Sequence, residues 1–389
     1  MSDLLNDKIL HVCNSMVYGG GEEHVRTILK YLRKLGLNVC AAVPENSKLF
    51  FVLKKEGIDV HPYFIKGKFD IKALFSLRNI IRTYKITMIH THNRQEDLMG
   101  GLVSMLTGVP AVTTIHDRIN MNQQGEKVTN FQSAVYHFIL RNCFSQLITV
   151  SKATYDDIIK YAKVNETKIT HVVNGIDLDR ITATKNTDQM KRELNIEPDK
   201  KIVGFVARIR GKSFGKKGII HLIDASEIIT KKFPQTIFVV SGEDTESADI
   251  LKIICAEKKV LRNFRFIGYR EDIIDVINCF DLLVCPSLFE GLPRVVMESM
   301  ALGKPVVGSN VDGIPEVIQD GVTGYLVAPK DHLLLAEKIL MLLENDNLRT
   351  EFGKKGKERI YNCFNASVSA KDTAEIYTRL INSRKRHLK

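Results

Sequence analysis

Arg208 and Lys217 bracket a loop that also carries Lys212, Lys216, Gly211 and Gly215. A cation at each end of such a loop can clamp a diphosphate and offset charge that develops on a leaving group; a solvated basic loop accounts for the same residues. Further on, Glu290, Gly291, Leu292, Pro293, Arg294 and Glu298 follow an apolar run. Pro293 fits the first turn of a helix, where its missing N–H is not needed. Glu290 then sits in the loop and Glu298 one to two turns into the helix. One carboxylate can accept bonds from sugar hydroxyls, the other from ribose hydroxyls.

Near the amino terminus Gly19, Gly20 and Gly21 precede Glu22 and Glu23. Glycines let backbone approach a ligand and adopt positive φ, and the helix start behind them offers free N–H groups suited to a phosphate. A tight turn explains them equally, since neither GxGxxG nor GxxxxGK[ST] is complete. His116 with Asp117 suits contact with a transferred group or a structural hydrogen-bonded pair. His90 and His92 are placed on an acceptor side. Asn174 and Gly175 signal a turn; the Asp177, Leu178, Asp179 pattern is of a kind that can hold a metal, but three residues match by chance too often and no partnering cluster is nearby, so no metal is expected.

Each grouping follows an apolar run of strand length. Strands are expected at 9–13, 39–43, 86–89, 111–114, 147–150 and 170–173, and again at 202–207, 236–240, 264–267, 282–285 and 306–309. Between them, runs of helical spacing fall at 22–35, 98–106, 131–141, 218–231, 248–257, 273–278 and 294–302, with Ser151 capping a helix through Tyr161. Helical spacing also marks 189–194, 331–342, 348–360 and 369–381. Alternation of this kind means parallel sheets covered by helices, and open sheets bind ligands beyond the carboxyl ends of their strands. The chain of 389 residues exceeds one ordinary core, so two α/β domains in series are expected, divided near 177–200.

Composition narrows the classes. The net charge of +11 favours anionic partners: nucleotides, phosphorylated acceptors or membrane surfaces. Only 7% aromatic content and the lack of an aromatic-basic repeat argue against a nucleic-acid partner. The seven cysteines include no CxxC and read as buried thiols of a reducing compartment. Neither a signal peptide nor a membrane-spanning run is evident, so a cytoplasmic location is expected, including the inner face of the cytoplasmic membrane. The stretch 66–85 sets Lys66, Lys68, Lys72, Arg78, Arg82 and Lys85 against the single acid Asp70. With Ile71, Leu74, Phe75, Ile80 and Ile81 it can rest on an anionic membrane or be an ordinary surface helix with an inward apolar face.

With these motifs the chain resembles the retaining GT-B glycosyltransferases, the family that includes sucrose synthases, mannosyltransferases and lipopolysaccharide glucosyltransferases. The resemblance runs through Gly19 and Gly20 with Glu22 or Glu23, His116 and Asp117, 173–177, 204–208, Lys217 and Gly218, and Gly268 and Tyr269. It is most specific from Pro286 through Glu290, Gly291, Pro293 and Glu298 to Leu326. It implies an α/β GT-B fold, two Rossmann-like domains facing each other across a cleft. Residues 1–180 would bind acceptor, 181–365 would bind the nucleotide-sugar donor, and 366–389 would form a helix crossing back to the first domain with a basic tail.

By the same resemblance Glu298 binds the donor ribose, and Glu290, with Gly291 and Leu292, meets the transferred sugar. Arg208 and Lys217 bind the diphosphate, Ile267, Gly268 and Tyr269 lie near the base, and Gly19 and Gly20 approach the phosphates. His116 lies close to the transferred sugar. The loop 208–217 is longer and more basic than is usual in the family, which leaves Lys216 as an alternative to Lys217. The implied reaction retains anomeric configuration on a front-face path, with no cofactor and no metal, moving a hexose from an NDP-sugar, UDP-sugar favoured, to a cell-envelope glycan or lipid-linked acceptor. A soluble sugar or metabolite acceptor stays open. A dinucleotide-dependent oxidoreductase is the reading of another class, disfavoured by the missing GxGxxG.

Overall fold

The computed structural model describes residues 7–67, 70–120, 131–210 and 214–387. Lys68 of the basic stretch, Gly211 and Lys212 of the basic loop, and Leu388 and Lys389 of the tail lie outside these. The chain forms two compact units. Unit 1 runs up to Ile176, without 122–126, and adds 366–389; unit 2 holds Asp177–Asn365.

Unit 1 is built on seven strands: β1 (Lys8–Val12), β2 (Asn38–Val43), β3 (Asp59–Pro62), β4 (Met88–Thr91), β5 (Ala111–Ile115), β6 (Gln146–Thr149) and β7 (Ile169–His171). Their order is β3-β2-β1-β4-β5-β6-β7, and every pairing is parallel. Both faces of a parallel sheet must be covered, and the residues of β1 divide accordingly. Leu10 and Val12 join Met99, Val103 and Leu140 in one core, whereas Ile9 joins Leu29, Leu32 and Tyr377 in the other. That division follows from side chains alternating along a strand.

Unit 2 repeats the plan with β8 (Lys201–Ile209), β9 (Thr236–Glu243), β10 (Phe264–Phe266), β11 (Leu282–Cys285), β12 (Val306–Ser309) and β13 (Gly324–Val327), ordered β10-β9-β8-β11-β12-β13 and again parallel. In each sheet the order reverses beside the first strand, between β1 and β4 and between β8 and β11. The connections leave in opposite directions there, and a crevice opens at the carboxyl ends.

Several sequence expectations change. The helix Lys48–Lys55, capped by Ser47, and the short strands β3 and β13 carry too little periodicity to be read. The helix after Ser151 is α-helical only over Lys152–Asp157 and continues as a π-helix over Ile158–Ala162. Pro293 stands at the N-cap of the helix Arg294–Ala301, just before its first turn. Six cysteines are buried, but Cys363 is exposed.

The closing helix, Ala366–His387, belongs to unit 1. Ala370, Ala374, Tyr377 and Ile381 recur at helical spacing and are buried in the same core as Val25, Ile28, Leu29 and Leu32 of the helix Gly20–Lys34. The two alanines let the helices approach closely. On the buried side of the Gly20–Lys34 helix stands Arg26, 1% exposed, held by Glu23 at 2.8 Å and by Glu56 at 2.5 Å. Removing one partner from a buried pair leaves the other charge stranded. Arg26→Leu is therefore expected to cost on the order of 3 kcal/mol in denaturant unfolding; a loss below about 0.5 kcal/mol, the scale of a neutral surface change, would contradict the pairing's role.

Candidate active site

Sequence-distant residues meet at the reversal point of unit 2. Lys217, past the end of β8, donates a 2.6 Å bond from Nζ to Oε2 of Glu290, past the end of β11. Gly218 fixes the lysine's position: its φ is +68°, and a Cβ there would lie 1.9 Å from the Pro286 carbonyl oxygen. Only a residue without a side chain permits that approach. The neighbouring Leu288 N–H donates to the Lys216 carbonyl at 2.9 Å, a second tie between the two loops. Lys216 points elsewhere, with its ammonium 4.5 Å from the Phe289 ring centre.

Glu290 is seated by its backbone. Its N–H donates to Asp312 Oδ2 at 3.0 Å, and its carbonyl accepts from Gly313 N at 3.3 Å. Asp312 was not visible as a site residue in the sequence, because the contact joins two loops on adjacent strands. Glu298 is half-buried on the helix Arg294–Ala301 and pairs with Arg294 at 2.8 Å, one turn back. Gly291 is buried and Leu292 half-buried in the loop before that helix. Arg208 is exposed at the penultimate position of β8.

The segment of Ile267, Gly268 and Tyr269 follows β10 and is tied to the end of β9. The Gly268 carbonyl accepts from Gly242 N and from Ser241 Oγ, both at 2.9 Å, while Gly268 N donates to Glu243 Oε1 at 2.6 Å. Glu243 is a further residue that sequence patterning did not single out. It is buried, burial raises its pKa, and its Oε2 has no hydrogen-bond partner. Tyr269 stands exposed beside it.

In unit 1 the residues beyond β1, β4 and β5 also converge. Gly19 is the extended N-cap residue of the helix Gly20–Lys34, at φ −158°. A Cβ on Gly20 or Gly21 would meet no described atom within 4 Å. Neither needs positive φ, so the expected backbone strain is absent here, and packing does not demand these glycines. What the spacing did not reveal is a group of five histidines. His11, His90 and His92 come from strands β1 and β4 or their ends, His24 from the first helix and His116 from the end of β5. Thr114 Oγ1 bonds His90 Nε2 at 2.8 Å, His90 Nδ1 bonds Tyr377 OH at 2.5 Å, Tyr377 OH bonds His11 Nε2 at 3.2 Å, and His11 Nδ1 bonds His92 Nε2 at 3.0 Å. His90 is thus buried with both nitrogens engaged, which gives it a supporting place behind His92. His92 Nδ1 and His116 Nε2 are buried without partners. His116 Nδ1 faces Asn174 Nδ2 at 3.4 Å, and Asp117 favours charge on the ring. Beside the cluster Glu96 accepts from Asn14 N and Asn93, and Asp97 accepts from Thr91, Thr113 and Tyr136.

Burial sets the protonation. It lowers His11 to about 3 and His116 to about 4; His90 and His92 fall well below the ordinary 6.5 by burial, then by their neighbouring histidines. Burial raises Glu96 to about 7 and Asp97 to about 6. The four rings are neutral in the folded unit and take up protons once unfolded below pH 6.5, so their stabilisation is present above that pH and lost as pH falls. The two carboxyls act oppositely, since the folded unit holds protons that the unfolded chain has released. Four against two leaves stability rising with pH between about pH 5 and 6.5. His11→Gln is expected to lower proton uptake on unfolding by about one in that window, read from denaturation midpoints over the pH series; an unchanged slope would show that His11 is charged when folded.

Each unit matches a family model of glycosyltransferases. A family model described as glycosyl transferases group 1 matches residues 186–359, and one described as glycosyltransferase family 4 matches residues 18–180. An alpha-maltose-1-phosphate synthase of Mycolicibacterium smegmatis is 28% identical over 389 residues, covering 94% of this chain and 96% of its own. The Escherichia coli UDP-Gal:alpha-D-GlcNAc-diphosphoundecaprenol alpha-1,3-galactosyltransferase is 24% identical over 320 residues, 80% of each chain. Anabaena HepE, solved in complex with UDP-glucose, shares the fold at a TM-score of 0.84, with 20% identity over 96% of this chain and 99% of that one.

Proposed function

We infer that this chain, an enzyme of the GT-B glycosyltransferase superfamily, moves a hexose-type sugar from a UDP-sugar to a cell-envelope glycan or lipid-linked acceptor, with retention of anomeric configuration. The observation that carries the reading is the meeting of Lys217 and Glu290 at the strand reversal of unit 2. A cation suited to phosphate and a carboxylate suited to sugar hydroxyls at adjoining points of one crevice support it. Arg208 is assigned to the diphosphate with Lys217, Glu298 to the ribose, and the backbone of Ile267, Gly268 and Tyr269 to the base, with Gly291 and Leu292 beside the sugar. Gly19 and Gly20 are assigned to the phosphates and His116 to the transferred sugar; His92 and Asp117 are placed on the acceptor side.

In the reaction the acceptor hydroxyl oxygen bonds the anomeric carbon on the face the diphosphate leaves. The carbon–oxygen bond to the diphosphate breaks, and the hydroxyl proton passes to a diphosphate oxygen. Arg208 and Lys217 stabilise the charge that appears on the leaving group. The UDP-glucose bound to Anabaena HepE and the UDP-Gal donor of the Escherichia coli galactosyltransferase support a uridine donor, and the diphosphoundecaprenol acceptor of the latter supports a lipid-linked acceptor. A soluble acceptor is the second reading, favoured by the alpha-maltose-1-phosphate synthase that matches most of the chain.

The basic stretch of unit 1 bears on the acceptor. The helix Ile71–Thr83 buries Ala73, Leu77, Ile80 and Ile81 and leaves Ile71 and Phe75 exposed. Phe64 is also exposed, and Asp70, the stretch's one acid, is occupied as the N-cap, accepting from Ala73 N. No described helix is long and apolar enough to cross a membrane. Cations around exposed Phe and Ile suit the surface of an anionic bilayer. Phe75→Ser is expected to reduce cosedimentation with phosphatidylglycerol vesicles but not with phosphatidylcholine vesicles, and equal sedimentation of both proteins would remove the membrane reading.

Glu298→Ala and Arg208→Ala should each lower transfer by roughly 10²–10³-fold while the fold persists, measured by mass spectrometry over UDP-, GDP- and ADP-sugars. Undiminished transfer in both folded variants would overturn the assignment. Glu290→Ala should weaken discrimination between donor sugars more than nucleotide binding.

A further inference from the structure

The geometry points to a metal site: His24, His92 and His116 form a three-imidazole site for one divalent transition ion of the zinc class, with a fourth position open. The ligating atoms of the three rings lie within 4.8 Å of one another. His24 and His116 rings are 4.8 Å apart at their centres, His24 and His92 5.7 Å, and His92 and His116 5.9 Å. Tetrahedral Zn–N bonds near 2.0–2.1 Å require nitrogens about 3.3 Å apart, a contraction that small ring rotations supply.

Two of the three rings present a nitrogen that is buried and without a partner, His92 Nδ1 and His116 Nε2. A buried polar atom in that state is costly unless something binds it. His92 is oriented by its other nitrogen through His11, and the Asn174 amide stands 3.4 Å from Nδ1 of His116; with its oxygen turned to accept the Nδ1–H, that amide leaves His116 Nε2 as the lone pair. That outer support is what fixes tautomer and ring angle at metal-binding histidines. The second histidine group of this unit, His11, His90 and His92, differs because both nitrogens of His11 and of His90 are hydrogen-bonded.

The hydrogen-bonded row from Thr114 to His92 adds a chemical selection. Neutral imidazoles carry one N–H each, so the row has two polarities. In one, every proton points toward His92, which then holds its own proton on Nδ1 as a buried donor with no acceptor. In the other, His92 Nε2–H donates to His11, His11 Nε2–H to Tyr377, Tyr377 O–H to His90, and His90 Nε2–H to Thr114. His92 Nδ1 is then a bare lone pair. A cation at His92 holds the row in the second polarity, and no proton need enter or leave. Three imidazoles with no carboxylate favour zinc, cobalt, nickel or copper over magnesium, calcium or manganese.

The site shares His116 with the sugar contact, so bound metal inhibits transfer; this consequence alone rests on the proposed function. The test is titration of the full chain with Co²⁺, read by the visible absorption of a tetrahedral ion, with Zn²⁺ as competitor and Mg²⁺ as control. One Co²⁺ per chain, displaced by Zn²⁺ and not by Mg²⁺, is expected, with the band lost in His24→Gln and in His116→Gln and kept in His332→Gln, which lies in unit 2. Circular dichroism establishes folding, and if one variant fails to fold, the other decides. No saturating band, or the same band in a folded His24→Gln or His116→Gln chain, overturns the site. If Co²⁺ binds as expected while Zn²⁺ leaves transfer unchanged, the metal site stands and the sugar role of His116 falls.

Discussion

The reversal of strand order in each parallel sheet is the constraint from which the candidate chemistry follows. At β8 and β11, consecutive connections depart to opposite faces, so the two carboxyl-end loops are neighbours with no helix between them. Lys217 and Glu290 are 73 residues apart, and no local interaction could bring them together. Parallel pairing does so, then Gly218 removes the last steric obstacle by lying against the Pro286 carbonyl. The same reversal at β1 and β4 brings the glycine-bearing helix start beside the histidines that close β4.

The two crevices nevertheless use different electrostatics. In unit 2 the charged groups are partly buried and paired, Lys217 with Glu290 and Arg294 with Glu298. In unit 1 the polar groups lie deeper, where burial drives titratable groups neutral. His11, His90, His92 and His116 are held neutral and Glu96 is raised to about 7. Neutral rings can then be linked end to end, which charged rings could not tolerate. Tyr377 joins His90 to His11 within the row, and it comes from the closing helix. Docking of that helix is thereby coupled to the hydrogen bonding of β1 and β4, in addition to the apolar stripe of Ala370, Ala374 and Ile381.

How much of this the sequence disclosed depends on how local each determinant is. The strands at 282–285 and 306–309 and the helix at 273–278 are legible to the residue, because a continuous apolar run or a helical stripe is a local signal. The strands β3 and β13 escape because four residues at a sheet edge carry little pattern. Glu290, Glu298, Arg208 and Lys217 stand out through residue type beside glycine and proline. Asp312 and Glu243 do not, since their partners are backbone N–H groups of distant loops. The histidine group is the extreme case. Only His90 and His92 share a recognisable spacing, and the other three come from separate segments of unit 1.

That difference has a physical origin. An ionic contact at a loop must be exposed enough to reach ligand, so it leaves a polar residue where the apolar pattern stops, and the interruption is visible. A neutral buried network interrupts nothing visible: His11 occupies an ordinary inward position in β1 between Leu10 and Val12, and Tyr377 occupies a core position of a helical stripe. Neither violates the period of its element. Their polarity becomes apparent only when the partners that satisfy it are assembled, and the tertiary fold alone assembles them. For parallel α/β units, then, residues that break the pattern disclose the ionic part of a crevice, whereas the buried titratable part must be sought among residues that obey it.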